Sequence, residues 1–219
     1  MALCAAIPAE MLMKISLKEV GKRYQNHWIF KGVDYTFEKG KKYAILGANG
    51  SGKSTLLRIV GGMQHHNKGS IDYLSSAASA ILPEKIFNEV SYCAPGMDII
   101  EELSLKEFLH FHFSFKKIRP EFTVASILQI MNMEAVANKF IHEFSSGMKQ
   151  RAKLAQAFFT DTPILLLDEP CSNLDLQGVA MYQQWLQQYA NNRLVIIASN
   201  DEREYEGVVD IIDIQDYKK

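Results

Sequence analysis

Residues 14–20 set Ile15, Leu17 and then Val20 among polar neighbours, the pattern of a half-buried strand. A second strand region covers 28–37 around Gly32, and Glu38-Lys39-Gly40-Lys41 reads as the turn that ends it. Residues 43–46 are a short apolar strand running directly into a glycine-rich loop. A helix follows over 56–60 and stops at Gly61-Gly62. Short strands are expected at 71–74 and 90–93. From Ser104 to about Ala137 the pattern becomes helical, and Thr160-Asp161-Thr162-Pro163 breaks a further helix before it. Residues 164–167 are continuously apolar, which suits a central strand buried on both faces. A helix over 176–190, a buried strand over 194–198 and a last strand over 208–214 complete the chain. Early strands of antiparallel type, then strands alternating with helices around a helical block, predict an α/β core with an inserted helical subdomain.

The chain has 219 residues, room for one large domain that buries roughly 70% of its unfolded surface without a metal or disulfide staple. Net charge is −1 with no block of like charge, so no nucleic-acid partner is expected, since phosphate neutralisation needs a clustered basic surface. Cys4, Cys93 and Cys171 are far apart and odd in number, and read as reduced thiols. No apolar run approaches the ~20 residues that span a bilayer. The first 12 residues are expected to be a disordered extension, leaving 13–219 as one domain with its helical subdomain at about 97–160.

Gly47-Ala48-Asn49-Gly50-Ser51-Gly52-Lys53-Ser54-Thr55 matches GxxxxGK[ST], with a buried strand before it and a helix after it. Glycines let successive N–H groups turn into one concave nest, and the helix N-terminus adds about half a positive charge. Lys53 is the candidate for the β- and γ-phosphates, Ser54 for magnesium, and Thr55 for the α-phosphate region. The apolar run 164–167 ends in Asp168-Glu169, which delivers carboxylates beside the loop. Asp168 suits magnesium through water, and Glu169 suits the proton of an attacking water.

Phe144-Ser145-Ser146-Gly147-Met148-Lys149-Gln150-Arg151 is similar to the LSGGQ signature of ATP-binding cassette ATPases, with Phe, Ser and Met as departures. Cys171-Ser172-Asn173-Leu174-Asp175 resembles the D-loop of that family. The resemblance extends from Lys14 to Asp213. It implies a P-loop NTPase core with a mostly parallel central sheet, an antiparallel β subdomain and an inserted helical subdomain. It implies Mg-ATP as ligand, with Ser145, Ser146 and Gly147 directed to the nucleotide of a second cassette, homo- or heterodimeric, and Asp175 among the nucleotide-binding residues. Tyr24 would stack on adenine, with Trp28 as its rival. An integral membrane transporter subunit would be the partner, with the chain peripheral on the inner face of the cell membrane. The alternative is a soluble cassette ATPase acting on a ribosomal, DNA or regulatory partner.

Two switch positions depart from the family pattern. Gly96 stands where a Gln is usual, and Asn200 where a His is usual. Asn can donate a hydrogen bond to a γ-phosphate but carries no charge, so slow basal hydrolysis is expected. On a helix from Leu105, six apolar residues cover about 200° where about 100° suffices for one-sided packing. The surplus, Phe108, Phe111 and Phe115, is a candidate docking face.

Overall fold

The computed structural model describes residues 13–75 and 79–218. The apolar start at 1–12, with Cys4 and the expected disordered extension, lies outside the described residues. Five strands form a parallel sheet: β3 (Lys42–Leu46), β5 (Val90–Cys93), β6 (Ile164–Asp168), β7 (Leu194–Ala198) and β8 (Asp210–Asp213), in the order β5-β6-β7-β3-β8. Every residue of β6 and β7 is buried, because both faces are covered. Leu165, Leu167, Val195 and Ile197 point into one cluster, whereas Ile164, Leu166, Leu194 and Ile196 point into the other. This is the period of two that a pleated strand imposes.

The first face packs against α2 (Leu105–Phe115), α3 (Val124–Ile130), α4 (Ser146–Phe158) and α5 (Leu176–Gln188). The second packs against α1 (Lys53–Val60) and a separate antiparallel sheet. That sheet has the order β2-β1-β4, from β1 (Lys14–Tyr24), β2 (His27–Glu38) and β4 (Lys68–Leu74). A bulge in β1 between Leu17 and Val20, with Glu19 at φ 52°, explains the broken alternation. The extra residue turns Val20 back inward, so both it and Leu17 are buried.

The helical block divides where the sequence pattern alone does not show it. Ser104 and Glu107 form a capping box that starts α2, and Lys116 is already extended at its end. Pro120 disfavours helix in the residue before it, and Thr123 caps α3 afresh. Phe108 is a correction: it is 4% exposed and belongs to the core beside Leu105 and Leu109. The surplus face narrows to Phe111 and Phe115, 47% and 76% exposed, with ring centroids 5.1 Å apart edge to face.

Candidate active site

Four neighbouring parallel strands bring their carboxyl ends to one edge, the place where open α/β sheets bind ligands. β3 ends in the loop 47–52, β6 in Asp168-Glu169, β7 leads to Asn200, and β5 leads to Gly96. The loop needs its glycines. Gly47 has φ 140°, and a Cβ there would stand 2.5 Å from Ile214 Cγ2. Gly52, at φ 110°, is the N-cap of α1 and offers no side chain to cap it. The other four helices are each capped, by Ser104, Thr123, Ser145 and Asp175. The first amides of α1 therefore keep their donors for an anion. Ser51 adds a buried hydroxyl with no hydrogen-bond partner.

Lys53 is 4% exposed and lies along the loop, its Nζ donating to Gly47 O at 2.8 Å and Ala48 O at 3.3 Å. Burial holds its ammonium below the usual lysine range, against the raising pull of Glu169 and Asp168. Those carbonyls are weak partners for a cation, and an incoming phosphate is a stronger one. Ser54 Oγ donates to Asp168 Oδ1 at 2.7 Å, which joins loop to strand end. Burial raises the Asp168 carboxyl, and the Ser54 hydrogen bond opposes that rise.

Hydroxyl and carboxylate oxygens are the donors a hard cation takes. Among the described residues no group of three or more His, Cys, Asp or Glu could hold a metal by itself. The Ser54–Asp168 pair is the kind of donor set magnesium takes, since it binds through one or two carboxylates together with substrate phosphates and water. Glu169 is half-buried with φ 42°, and its N–H donates to Ala198 O at 2.9 Å. It lines a cavity of about 410 Å³ with Ser54, Arg58, Tyr92, Gly96 and Asp168. Tyr92 was not singled out by the sequence, yet its hydroxyl donates to Asp168 Oδ2 at 3.4 Å. Its position beside β6, at the end of the strand after the loop, was the available signal.

Asn200 is exposed and donates from Nδ2 to Asn49 Oδ1 at 2.7 Å. Gly50, like Ala48 and Asn49, is exposed on the loop, whereas Thr55 is buried on α1. Tyr24 lies beside α1, with its hydroxyl accepting from Gln64 and near Thr55, and these contacts hold the phenol below its usual range. Trp28 instead lies over Gly21 on the antiparallel sheet, with the Arg23 guanidinium 5.7 Å from its ring. Ser145 caps α4 by accepting from Met148 N at 3.3 Å. Ser145 and Ser146 are exposed and, like Gly147, do not line the cavity. A Cβ at Gly147 would stand 3.0 Å from Asn173 O. Asp175 accepts from Gly178 N at 2.7 Å and from Arg151 at 3.1 Å, so in one chain it is a helix cap outside the cavity.

Residues 30–172 match the family model described as ABC transporter. The chain is 31% identical over 204 residues to "Uncharacterized ABC transporter ATP-binding protein YybJ" of Bacillus subtilis, covering 90% of each. It is 31% identical over 166 residues to the spermidine/putrescine import ATP-binding protein PotA of Trichodesmium erythraeum, covering 74% of this chain and 43% of that relative. The fold matches a putative ABC transporter ATP-binding protein from Pyrococcus furiosus, with TM-score 0.78, 20% identity and coverage of 94% of this chain and 100% of that one. It also matches a dimeric bacterial ABC transporter cassette, MJ0796, with TM-score 0.76, 23% identity and coverage of 91% and 93%. With the phosphate loop and its strand-end carboxylates joined at one sheet edge, the chain belongs to the ABC transporter family, as one of its ATP-binding cassette ATPases.

Proposed function

We propose that this chain is the ATP-binding and ATP-hydrolysing subunit of an ABC transporter, driving a separate membrane-spanning subunit through ATP-dependent dimerisation. The observation that carries this reading is the 2.7 Å Ser54–Asp168 hydrogen bond, with Glu169 beside the same cavity. The domain is 13–219, with a helical subdomain at about 97–160.

The loop amides of 47–55 and Lys53 bind the triphosphate. Ser54 and Asp168 hold magnesium, which when bound neutralises phosphate charge. Glu169 takes or orients the proton of the attacking water, and Asn200 donates to the γ-phosphate. Tyr24 stacks on the adenine. Asp175 belongs to the nucleotide-binding set, and Ser145, Ser146 and Gly147 serve the nucleotide of a second cassette, so the working form is a dimer. The exposed start of α4 and the likeness to the dimeric MJ0796 cassette support that part. No helix among the described residues is long and apolar enough to cross a membrane, and in this reading a separate subunit provides the spans. The chain then sits peripherally on the inner face of the cell membrane, with Phe111 and Phe115 as its candidate docking face.

Three measurements test this. Purified chain should hydrolyse ATP with magnesium, and Glu169→Gln should form an ATP-dependent dimer by light scattering. The partner that co-purifies from its own cells should carry several apolar spans. A ribosomal, DNA or regulatory partner without such spans would overturn the transport reading and leave the ATPase intact.

A further inference from the structure

Pro170 C=O and Cys171 N–H are the two ends of one peptide unit, placed immediately after Glu169. Both ends are held by buried side chains from distant segments. Gln150 Nε2, on α4, donates to Pro170 O at 2.8 Å. Glu204 Oε1, in the 3-10 turn Glu202–Glu204 just after Asn200, accepts from Cys171 N at 2.6 Å. Gln150 and Glu204 are 2% and 3% exposed. Burying a carboxylate is costly, and here one of its oxygens is spent on a single backbone amide. The turn that carries Glu204 is itself anchored, because Tyr182 on α5 donates to Glu204 O at 2.6 Å.

Glu169 has reason to need such support. Its φ of 42° is a left-handed conformation that a residue with a Cβ adopts at a cost of about 1 kcal/mol or more. The segment after the held peptide turns back to it. Ser172 N donates to Glu169 O at 3.1 Å, and Ser172 Oγ reaches Glu169 Oε2 at 3.5 Å. Fixing the 170–171 peptide plane fixes where Ser172 stands, and so where the Glu169 carboxylate points.

We propose that Gln150 and Glu204 are positioning residues that grip one peptide from both ends and aim Glu169, tying the helix opened by Ser145–Gly147 and the loop of Asn200 to the same turn. This rests on the reading of Glu169 as the group that handles the proton of water.

The variants Gln150→Met and Glu204→Met keep the bulk and remove the donor or the acceptor. Each should lower kcat for ATP about 10- to 100-fold, the cost of a misplaced reacting group, while KM for ATP stays within about threefold because the phosphate loop is untouched. Glu204→Gln keeps a carbonyl acceptor for Cys171 N–H, so it should retain kcat within about threefold. Unfolding curves on the same samples separate positioning from loss of fold. Unchanged kcat in both Met variants would overturn the proposal, as would Glu204→Gln failing as badly as Glu204→Met. A fall in kcat matched by an equal loss of folded protein would also overturn it. Absence of turnover in the wild type would remove the hydrolysis reading itself and this inference with it.

Discussion

The side chain of Asn200 is bonded to that of Asn49 across the nucleotide edge of the sheet, Nδ2 to Oδ1 at 2.7 Å. The end of β7 is thereby tied to the phosphate loop by two neutral amides. An amide at this place donates at any pH but cannot carry the positive charge that would stabilise a developing phosphoryl anion. Asn200→His should raise ATP turnover at saturating ATP about tenfold, equivalent to ~1.4 kcal/mol of barrier. It should also introduce a fall in turnover on titrating through about pH 6.5, where imidazole loses its proton. Unchanged kcat would remove Asn200 as a limit on the rate.

Gly96 faces the same cavity from β5 with no side chain to offer. A Cβ built on it meets nothing within 4 Å, and its φ is not left-handed, so the position accepts substitution without strain. Gly96→Gln is therefore expected to leave the melting temperature unchanged within about 2 °C, since surface changes stay within ~0.5 kcal/mol. It should raise turnover, and combined with Asn200→His it should exceed either single change. A Gln variant that folds normally and turns over no faster would show that the missing side chain does not limit hydrolysis.

Glu169 and Asp168 are adjacent in sequence but differ in surroundings. Asp168 is buried and bonded to Ser54 and Tyr92, whereas Glu169 is half-buried at the cavity. Glu169→Gln should lower kcat by about 10²- to 10⁴-fold and leave the Kd for ATP within a few-fold. Chelating divalent cations should abolish turnover in the wild type. Tyr92→Phe should raise the magnesium concentration needed for half-maximal rate about threefold, because one hydrogen bond to Asp168 contributes ~1 kcal/mol or less. Activation by magnesium that is identical in Tyr92→Phe would detach Tyr92 from the site.

The parts of this site that are contiguous were legible in the sequence. The loop 47–55 and the run 164–169 carry their chemistry in consecutive letters, and the structure joins them through Ser54 and Asp168. The apolar blocks of β6 and β7 likewise announced a sheet covered on both faces. What escaped was contact between distant segments. Gln150 and Glu204 are far apart in the chain, and only the fold buries them around one peptide. Phe108 shares its stripe with Phe111 and Phe115, and only the packing of α2 on the core decides which rings stay in solvent. The same limit applies to Arg193.

Arg193 is 5% exposed and gathers the chain behind the sheet. Its Nη2 donates to Ser91 Oγ at 2.5 Å, Thr162 Oγ1 at 2.8 Å and Ile164 O at 3.3 Å, and its Nη1 to Phe158 O at 3.1 Å. Arg193→Met keeps much of the volume but removes these hydrogen bonds, leaving the Ser91 and Thr162 hydroxyls with Ile164 O alone. It should cost about 2–3 kcal/mol, which at this chain length is a fall in Tm of roughly 4–12 °C. Arg193→Lys should recover only part, because an ammonium cannot reproduce the planar fork. Equal stability of the Met variant would mean that apolar packing alone suffices there.

His112 predicts how acid acts on the helical block. Its Nε2 is 2.9 Å from Thr160 Oγ1, and burial, with the Lys116 ammonium adding to it, pushes the imidazole down to about 4 from an ordinary 6.5. The folded value lies below the unfolded one, so the stability of the neutral ring is fully present above pH 6.5 and is lost as pH falls through 4. Integrated over that window it is worth at most roughly 3 kcal/mol. Glu204 works in the opposite sense. Burial pushes its carboxyl up to about 7 from 4.5, so its contribution is present below pH 4.5 and is lost as pH rises through 7. Wild type and His112→Gln both carry Glu204, so the difference between their urea-unfolding free energies isolates the imidazole. That difference should be nearly constant from pH 7 to 8 and should shift by about 2 kcal/mol in favour of the Gln variant by pH 4.5. A difference that does not change with pH would show that His112 titrates alike in the folded and unfolded chain.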